Sequence, residues 1–296
     1  MRRVDFDWFE QHFPHRPSDA HKGTMGTLVS LTGSYGFAGA AILSAKAALR
    51  SGVGLHYQVL PEGIYPLFGA AVHESVCVPV KGDRGRLSPM DMEMIHPLLD
   101  KATAVLIGCG MGCSETTAAV EKIVLDTVAC PVIIDADGIN ALARHIHSLE
   151  DVQSDIILTP HVKEFSRLSG LSVEAILSDP AKHAEEYSVK HRDVILVLKG
   201  HRTYIAQNGE VVENIAGNSG MAKGGSGDVL AGIIASLTAQ GAKPFDAAVM
   251  GVHIHAIAGD IAAAKLSRTA MLPSDIIRSL PEIYKLIEDG RDNGAS

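Results

Sequence analysis

Between Asn214 and Gly241 a run of small residues passes directly into an apolar helix. Gly217, Gly220, Gly224, Gly225 and Gly227 precede Asp228. Val229, Leu230, Ile233, Ile234 and Leu237 follow it at the spacing of one helix face, and Gly241 supplies the stop. A glycine-rich loop thus runs directly into a buried helix. Its free N–H groups and the positive end of the helix dipole favour an anion, most naturally a phosphate. Gly225, Ser226 and Gly227 are the candidate anion hole. Asp228 is the one acid there, and the helix field is expected to depress its pKa and keep it ionised. A carboxylate beside a phosphate repels it. Taking a proton from a hydroxyl that attacks a phosphoryl group gives Asp228 a reason to be there, as the catalytic base. The motif is neither a Gly-x4-Gly-Lys-Ser/Thr loop, because Ser226 follows Gly225, nor a nucleophile elbow, because the final glycine is missing.

The remainder of the chain alternates apolar runs with helical patterns. Strands are expected over 26–32, 54–60, 74–80, 102–108, 131–135, 155–158 and 194–198. A hairpin turning at Asn208-Gly209 should join 204–206 to 211–215. Helices are expected near 40–51, after Pro61, after Ser88-Pro89, over 172–192, after Asp228, and near 244–266 and 274–288. Buried strands alternating with helices imply an α/β fold, a mainly parallel sheet covered on both faces. Neither a linker nor a repeat divides it, so 1–296 reads as a single domain with an N-terminal arm over 1–20 and a frayed tail over 290–296. Charged residues make up 20% and the net charge is −8, which excludes a nucleic-acid surface. No apolar run reaches 18 residues without a polar break, so no membrane span is expected. Cys77, Cys109, Cys113 and Cys130 make no Cys-x-x-Cys and sit beside apolar runs, the pattern of buried free thiols in a reducing, cytoplasmic setting. His253 and His255 are two apart, so on a helix they face different sides and do not form a metal pair.

The informative residues fall at strand ends, which in an open α/β sheet converge on one crevice. Gly108-Cys-Gly110 is a glycine turn lacking the third glycine of a dinucleotide fingerprint, since Cys113 stands there. Thr159-Pro-His161 ends a strand, and His161 could bond a polar substrate or simply cap a helix. Glu164 is a candidate for Mg2+ through water beside a polyphosphate. Lys199 ends an apolar strand and suits an anion or a nucleotide, and Lys22 is a second possible phosphate contact.

Lys22-Gly-Thr-Met-Gly26, Gly39-Ala-Ala41, Gly108-Cys-Gly110, Asp135-Ala-Asp-Gly-Ile-Asn140, Thr159-Pro-His161 with Glu164, Lys199-Gly200 with Thr203, and Gly217 to Asp228 resemble, in order, the ADP-dependent NAD(P)H-hydrate dehydratase family. The resemblance implies a ribokinase-like fold and repair of a damaged cofactor. Hydrated NADH or NADPH is phosphorylated by ADP, phosphate is expelled, and NAD(P)H and AMP result. It implies that Ala40, Gly110, His161 and Asp228 contact the hydrated dinucleotide. It further implies that Lys199, Gly200, His201, Arg202, Thr203 and Gly227 hold the adenine nucleotide, with Mg2+ near Glu164. A homotetramer is implied too, with epimerisation left to a separate protein. Cys109 stands where the family often carries proline. Two other readings use the same residues: an ATP-dependent kinase of a vitamin-precursor alcohol, and a silent nucleotide-binding protein, which would have no need of a base.

Overall fold

The computed structural model describes residues 6–144 and 152–294, with Val4 and Leu149. Among these residues nine strands form one sheet: β1 (Thr27–Leu31), β2 (Leu55–Pro61), β3 (Val76–Val80), β4 (Ala104–Ile107), β5 (Val132–Ile134), β6 (Ile156–Leu158), β7 (Val194–Leu198), β8 (Thr203–Gln207) and β9 (Glu210–Asn214). Their order is β3-β2-β1-β4-β5-β6-β7-β8-β9. The seven from β3 to β7 pair in parallel, and β8 and β9 add the antiparallel hairpin. Asn208 and Gly209 both have positive φ, 49° and 84°, as a two-residue turn between twisted strands demands.

The strands are apolar along their whole length because each face is covered by helices. Leu28, Leu106, Ile133, Ile157 and Ile195 point to one layer, while Val29, Val105, Val132, Ile156 and Val194 point to the other. The first layer holds α1 (Phe6–His12), α2 (Ala38–Arg50), α10 (Ser226–Ala239), α11 (Pro244–Leu266) and α12 (Pro273–Gly294). The second holds α4 (Met92–Leu99), α5 (Glu115–Thr127), α6 (Asp137–Leu142), α7 (Val162–Ser169), α8 (Val173–Ser178) and α9 (Pro180–Lys190). A short α3 (Tyr65–Ala71) packs on α2 beside the β2–β3 edge. By length and composition α11 could cross a bilayer, yet 67% of its most apolar stretch is buried between α10 and α12. It is a core helix of the sandwich.

Some boundaries depart from the sequence pattern. The strand expected from Glu74 begins at Val76. The single helix expected over 172–192 is two, because Asp179 leaves helical geometry and its carboxylate caps α9 by accepting from Lys182 N at 3.1 Å. The last helix runs past 290 to Gly294, and 295–296 lie outside the described residues. All four cysteines are free, but only Cys109 is buried: Cys77 and Cys130 are half-buried and Cys113 is exposed.

Candidate active site

The carboxyl ends of the parallel strands meet where the sheet order reverses between β1 and β4. There Gly33 N donates to Cys109 O at 2.8 Å and closes the two strand-end turns onto each other. Gly108 takes φ 115°, and a Cβ there would sit 2.1 Å from Asp135 O, so only glycine lets the β4 turn approach β5. Ala40, at the start of α2, lies against Gly110, 2.8 Å from where a Cβ would be.

On the other side of the crevice the glycine loop is fixed before it reaches α10. Gly217 N and Asn218 Nδ2 donate to Asp260, and Lys223 Nζ donates to Thr269 O and Met271 O at 2.7 and 2.6 Å. Gly225 then turns the chain into the helix with φ 99°, a conformation that a side chain would strain. Ser226, Gly227 and Asp228 form the first turn of α10, whose N–H groups have no intrahelical partner. The buried Ser226 hydroxyl has no hydrogen-bond partner among the described residues, and neither has His255 Nε2. Burial and the Lys199 charge lower His255 to about 4 against a weak pull from the Ser226 backbone, so its ring is neutral.

Asp135, Cys109, Asp228 and Lys199 form the centre. The Asp135 carboxylate is 1% exposed. It accepts from Thr159 Oγ1 at 2.5 Å and Lys199 Nζ at 2.8 Å, and Cys109 Sγ lies 3.6 Å from its second oxygen. Burial alone would raise its pKa. The Lys199 charge and the three donors win, and hold it below the usual carboxylate range. Lys199 in turn is lifted above the ordinary lysine value. Burial opposes this, but the Asp135 and Glu164 charges outweigh it. Its ammonium sits beneath the anion loop, 3.1 Å from where Gly227 would carry a Cβ. Cys109 Sγ and oxygens of Asp135 and Asp228 lie within 4.8 Å of one another. Burial first, then both carboxylates, keep the thiol protonated.

The expectation that the helix field keeps Asp228 strongly acidic fails. Its pKa rises to about 7, because burial removes water from the carboxylate and Asp135 places a like charge beside it. The Cys109 hydrogen bond and Lys199 offset this only in part. A dipole term worth about 0.3–1 kcal/mol is the smaller effect.

The expected nucleotide set divides. Lys199 points inward to Asp135, while Gly200, His201 and Arg202 are exposed on the β7–β8 turn, and Arg202 Nη1 pairs with Glu213 at 2.7 Å. His161 is half-exposed and caps α7: its Nδ1 accepts from Lys163 N and Glu164 N, and Nε2 lies 3.0 Å from Glu164 Oε1. Glu164 returns Oε2 to His161 N at 2.9 Å. Both ring nitrogens and both carboxylate oxygens are thus used locally, so His161 offers a ligand its exposed ring face and not the free nitrogen that a hydrogen bond to a polar substrate would need. Direct metal ligation by Glu164 does not fit. A cation held through water does, since Asp137 and Glu164 share this corner, and burial and then the Glu164 and Asp135 charges raise Asp137 against its bond from Gly112 N. Lys22 does not reach the crevice. It precedes β1, next to Gly54, at the amino end of the strands, where Gly26 meets Ala239 at the far end of α10. His253 and His255 do face apart, His253 towards Phe9 and His255 towards Ser226.

Asp135 and Asp137 went unassigned on sequence. The signal available was a pair of acids at the end of a fully apolar strand. Ala136 between them is held at φ 51°, ψ −111°, a conformation costing on the order of 1–3 kcal/mol outside glycine, so both acids are aimed by backbone strain.

The sequence profile of the NAD(P)H-hydrate dehydratase family matches residues 28–282. A bifunctional NAD(P)H-hydrate repair enzyme of Moorella thermoacetica is 37% identical over 287 residues, covering 95% of this chain and 53% of its own length. The chain therefore spans about half the length of the bifunctional relatives it matches. An ADP-dependent (S)-NAD(P)H-hydrate dehydratase of Bacillus subtilis is 32% identical, over 95% of this chain and 98% of its own. The solved ADP/ATP-dependent NAD(P)H-hydrate dehydratase of that organism, co-crystallized with ATP/Mg2+, superposes with a TM-score of 0.80 at 27% identity, over 96% and 97% of the two chains. Motif order, sheet topology and these likenesses agree, and the chain belongs to the NAD(P)H-hydrate dehydratase family, with its ribokinase-like fold.

Proposed function

We propose that this protein dehydrates hydrated NADH or NADPH at the expense of ADP. The observation that carries the reading is the neighbourhood of Asp228. A carboxylate with a pKa of about 7 stands in the first turn of α10, where the helix N-terminus, a Ser226 hydroxyl unpartnered among the described residues and the Lys199 ammonium come together. Such a carboxylate is basic enough near neutral pH to take a proton from an alcohol.

Asp228 removes the proton of the ring hydroxyl. The oxygen forms a bond to the terminal phosphorus of ADP, and the bond from that phosphorus to the bridging oxygen breaks and frees AMP. Gly225, Ser226 and Gly227 hold the transferring group, and Lys199 adds positive charge from below. The ring nitrogen then pushes its lone pair towards the carbon bearing phosphate, the C–O bond breaks with phosphate taking the electron pair, and loss of the neighbouring C–H proton restores the double bond. Ala40, Gly110 and His161 orient the dinucleotide, and the turn from Lys199 to Thr203 holds the adenine nucleotide. Mg2+ held through water near Glu164 would neutralise phosphate charge. A homotetramer in the cytoplasm belongs to the same reading, and sedimentation measures the assembly.

The test is incubation with hydrated NADPH and either ADP or ATP, following the return of reduced-nicotinamide absorbance together with AMP, ADP and phosphate. Recovery of absorbance with one AMP per NADPH is expected with ADP. A stable phosphate ester without recovered absorbance would instead make the protein a small-molecule kinase, and nucleotide binding without turnover would make it a silent binder.

A further inference from the structure

Asp135 has no role in the reaction just described, yet it is the most tightly held side chain of the centre. Its donors come from three strand ends: Cys109 after β4, Thr159 after β6 and Lys199 after β7. Beyond Cys109 it faces a second carboxylate, Asp228, with the two oxygens and the sulfur within 4.8 Å. A buried ion pair adds little to stability, and a buried pair of carboxylates subtracts from it. An arrangement this unfavourable to the fold is explained by what it does to the base.

We propose that Asp135 is a positioning residue for Asp228: its fixed negative charge, set by Lys199, Thr159 and Cys109, keeps the neighbouring carboxylate avid for a proton, and the same group pins the Lys199 ammonium beneath Gly227. The proposal rests on Asp228 being the base. The groups acting on Asp228 come from every side of the crevice. Asp135 after β5 and Asp137 on α6 raise its proton affinity, as burial does, while Cys109 after β4 and Lys199 after β7 lower it. Glu164 on α7 raises Lys199, and Lys199 in turn lowers His255 on α11. Among the described residues Lys199 is the cation that acts on the base, and Asp135 holds it at 2.8 Å. Without Asp135 the ammonium would be free to turn towards Asp228, and the base would weaken, although burial, the largest cause of its raised proton affinity, would remain. Asp135 is not itself the base, because its oxygens are engaged and its charge is stabilised.

The decisive variant is Asp135→Asn, which keeps size and packing but removes the charge. In the free enzyme, an infrared pH titration of the protonated carboxyl band should show one group with a midpoint near 7 that is missing in Asp228→Asn. In Asp135→Asn that midpoint should fall by on the order of one pH unit. The acid limb of kcat/KM for hydrated NADPH should fall with it. Should Asp135→Asn not fold, Asp135→Ser carries the test: it also removes the charge beside Asp228, so the midpoint should again fall. An unmoved midpoint in either folded variant overturns the proposal. So does a lower rate and melting temperature with an unchanged acid limb, since that is what a purely structural residue would give. The infrared titration needs no turnover. A shifted midpoint in a protein that does not regenerate NADPH would uphold the proposal while rejecting the substrate assignment.

Discussion

Replacing Asp228 with asparagine should make the protein more stable at neutral and alkaline pH while nearly abolishing its activity. The folded pKa of about 7 against an ordinary 3.8 means that the folded chain binds this proton more tightly than the unfolded chain does. Ionising Asp228 therefore costs stability. The cost is absent below the unfolded value, grows as pH climbs from about 4 to about 7, and is complete above that. Three units at about 1.36 kcal/mol each give about 4 kcal/mol. Asp228 is partly exposed, and solvent screening reduces this to roughly 2 kcal/mol. Asparagine cannot ionise and escapes the penalty, but it forgoes a charge–dipole gain of about 0.3–1 kcal/mol at the start of α10. The expected net is about 1–2 kcal/mol in favour of Asp228→Asn at pH 8, vanishing near pH 4. Turnover should fall by roughly 10²–10⁴, about 3–5 kcal/mol of barrier. Urea unfolding of both proteins at several pH values measures the first quantity, and steady-state kinetics on the same preparations measures the second. A variant less stable than its parent at pH 8, or a stability difference that ignores pH, would show that Asp228 is not under electrostatic strain. A rate within tenfold of the parent would show that it is not the base.

Lys199→Met should destabilise by about 3–5 kcal/mol, because it leaves the buried Asp135 charge without its cation, and should weaken ADP binding more than dinucleotide binding. Melting curves and calorimetric titrations report the two effects, and unchanged stability would mean that the ion pair is not formed. Glu164→Gln should cost about 1 kcal/mol through the α7 capping box and shift the Mg2+ dependence of the rate to higher concentration; a rate indifferent to chelator would remove Mg2+ from the reaction. Gly232→Ala would place a Cβ 2.2 Å from Ser44 O where α10 crosses α2. An overpacking loss of roughly 1–3 kcal/mol with KM unchanged is expected, and a neutral effect on the urea midpoint would mean that the helices have slack.

Much of the architecture was already present in the order of residues. Apolar runs such as Val132–Ile134 and Val194–Leu198 can be buried only between two helical layers, and Asn208-Gly209 admits only a tight turn. The glycine loop entering α10 is equally local, since the backbone freedom of Gly225 and the apolar spacing after Asp228 are properties of neighbours along the chain. The His161–Glu164 capping box was legible at i,i+3 as well, and competes with the metal role that the same glutamate suggested. Lys22 shows where such reading stops, because whether a residue near a strand reaches the site depends on which end of the sheet the ligand uses. The protonation of Asp228 and the partner of Lys199 were decided only by folding. Lys199 and Asp135 are 64 residues apart, and Asp228 meets Asp135 only because α10 packs on the sheet and closes water out of the crevice. A pKa is set by the field and the solvent at one point in space, to which groups from β4, β5, β7 and α10 contribute together, and no stretch of sequence contains that point.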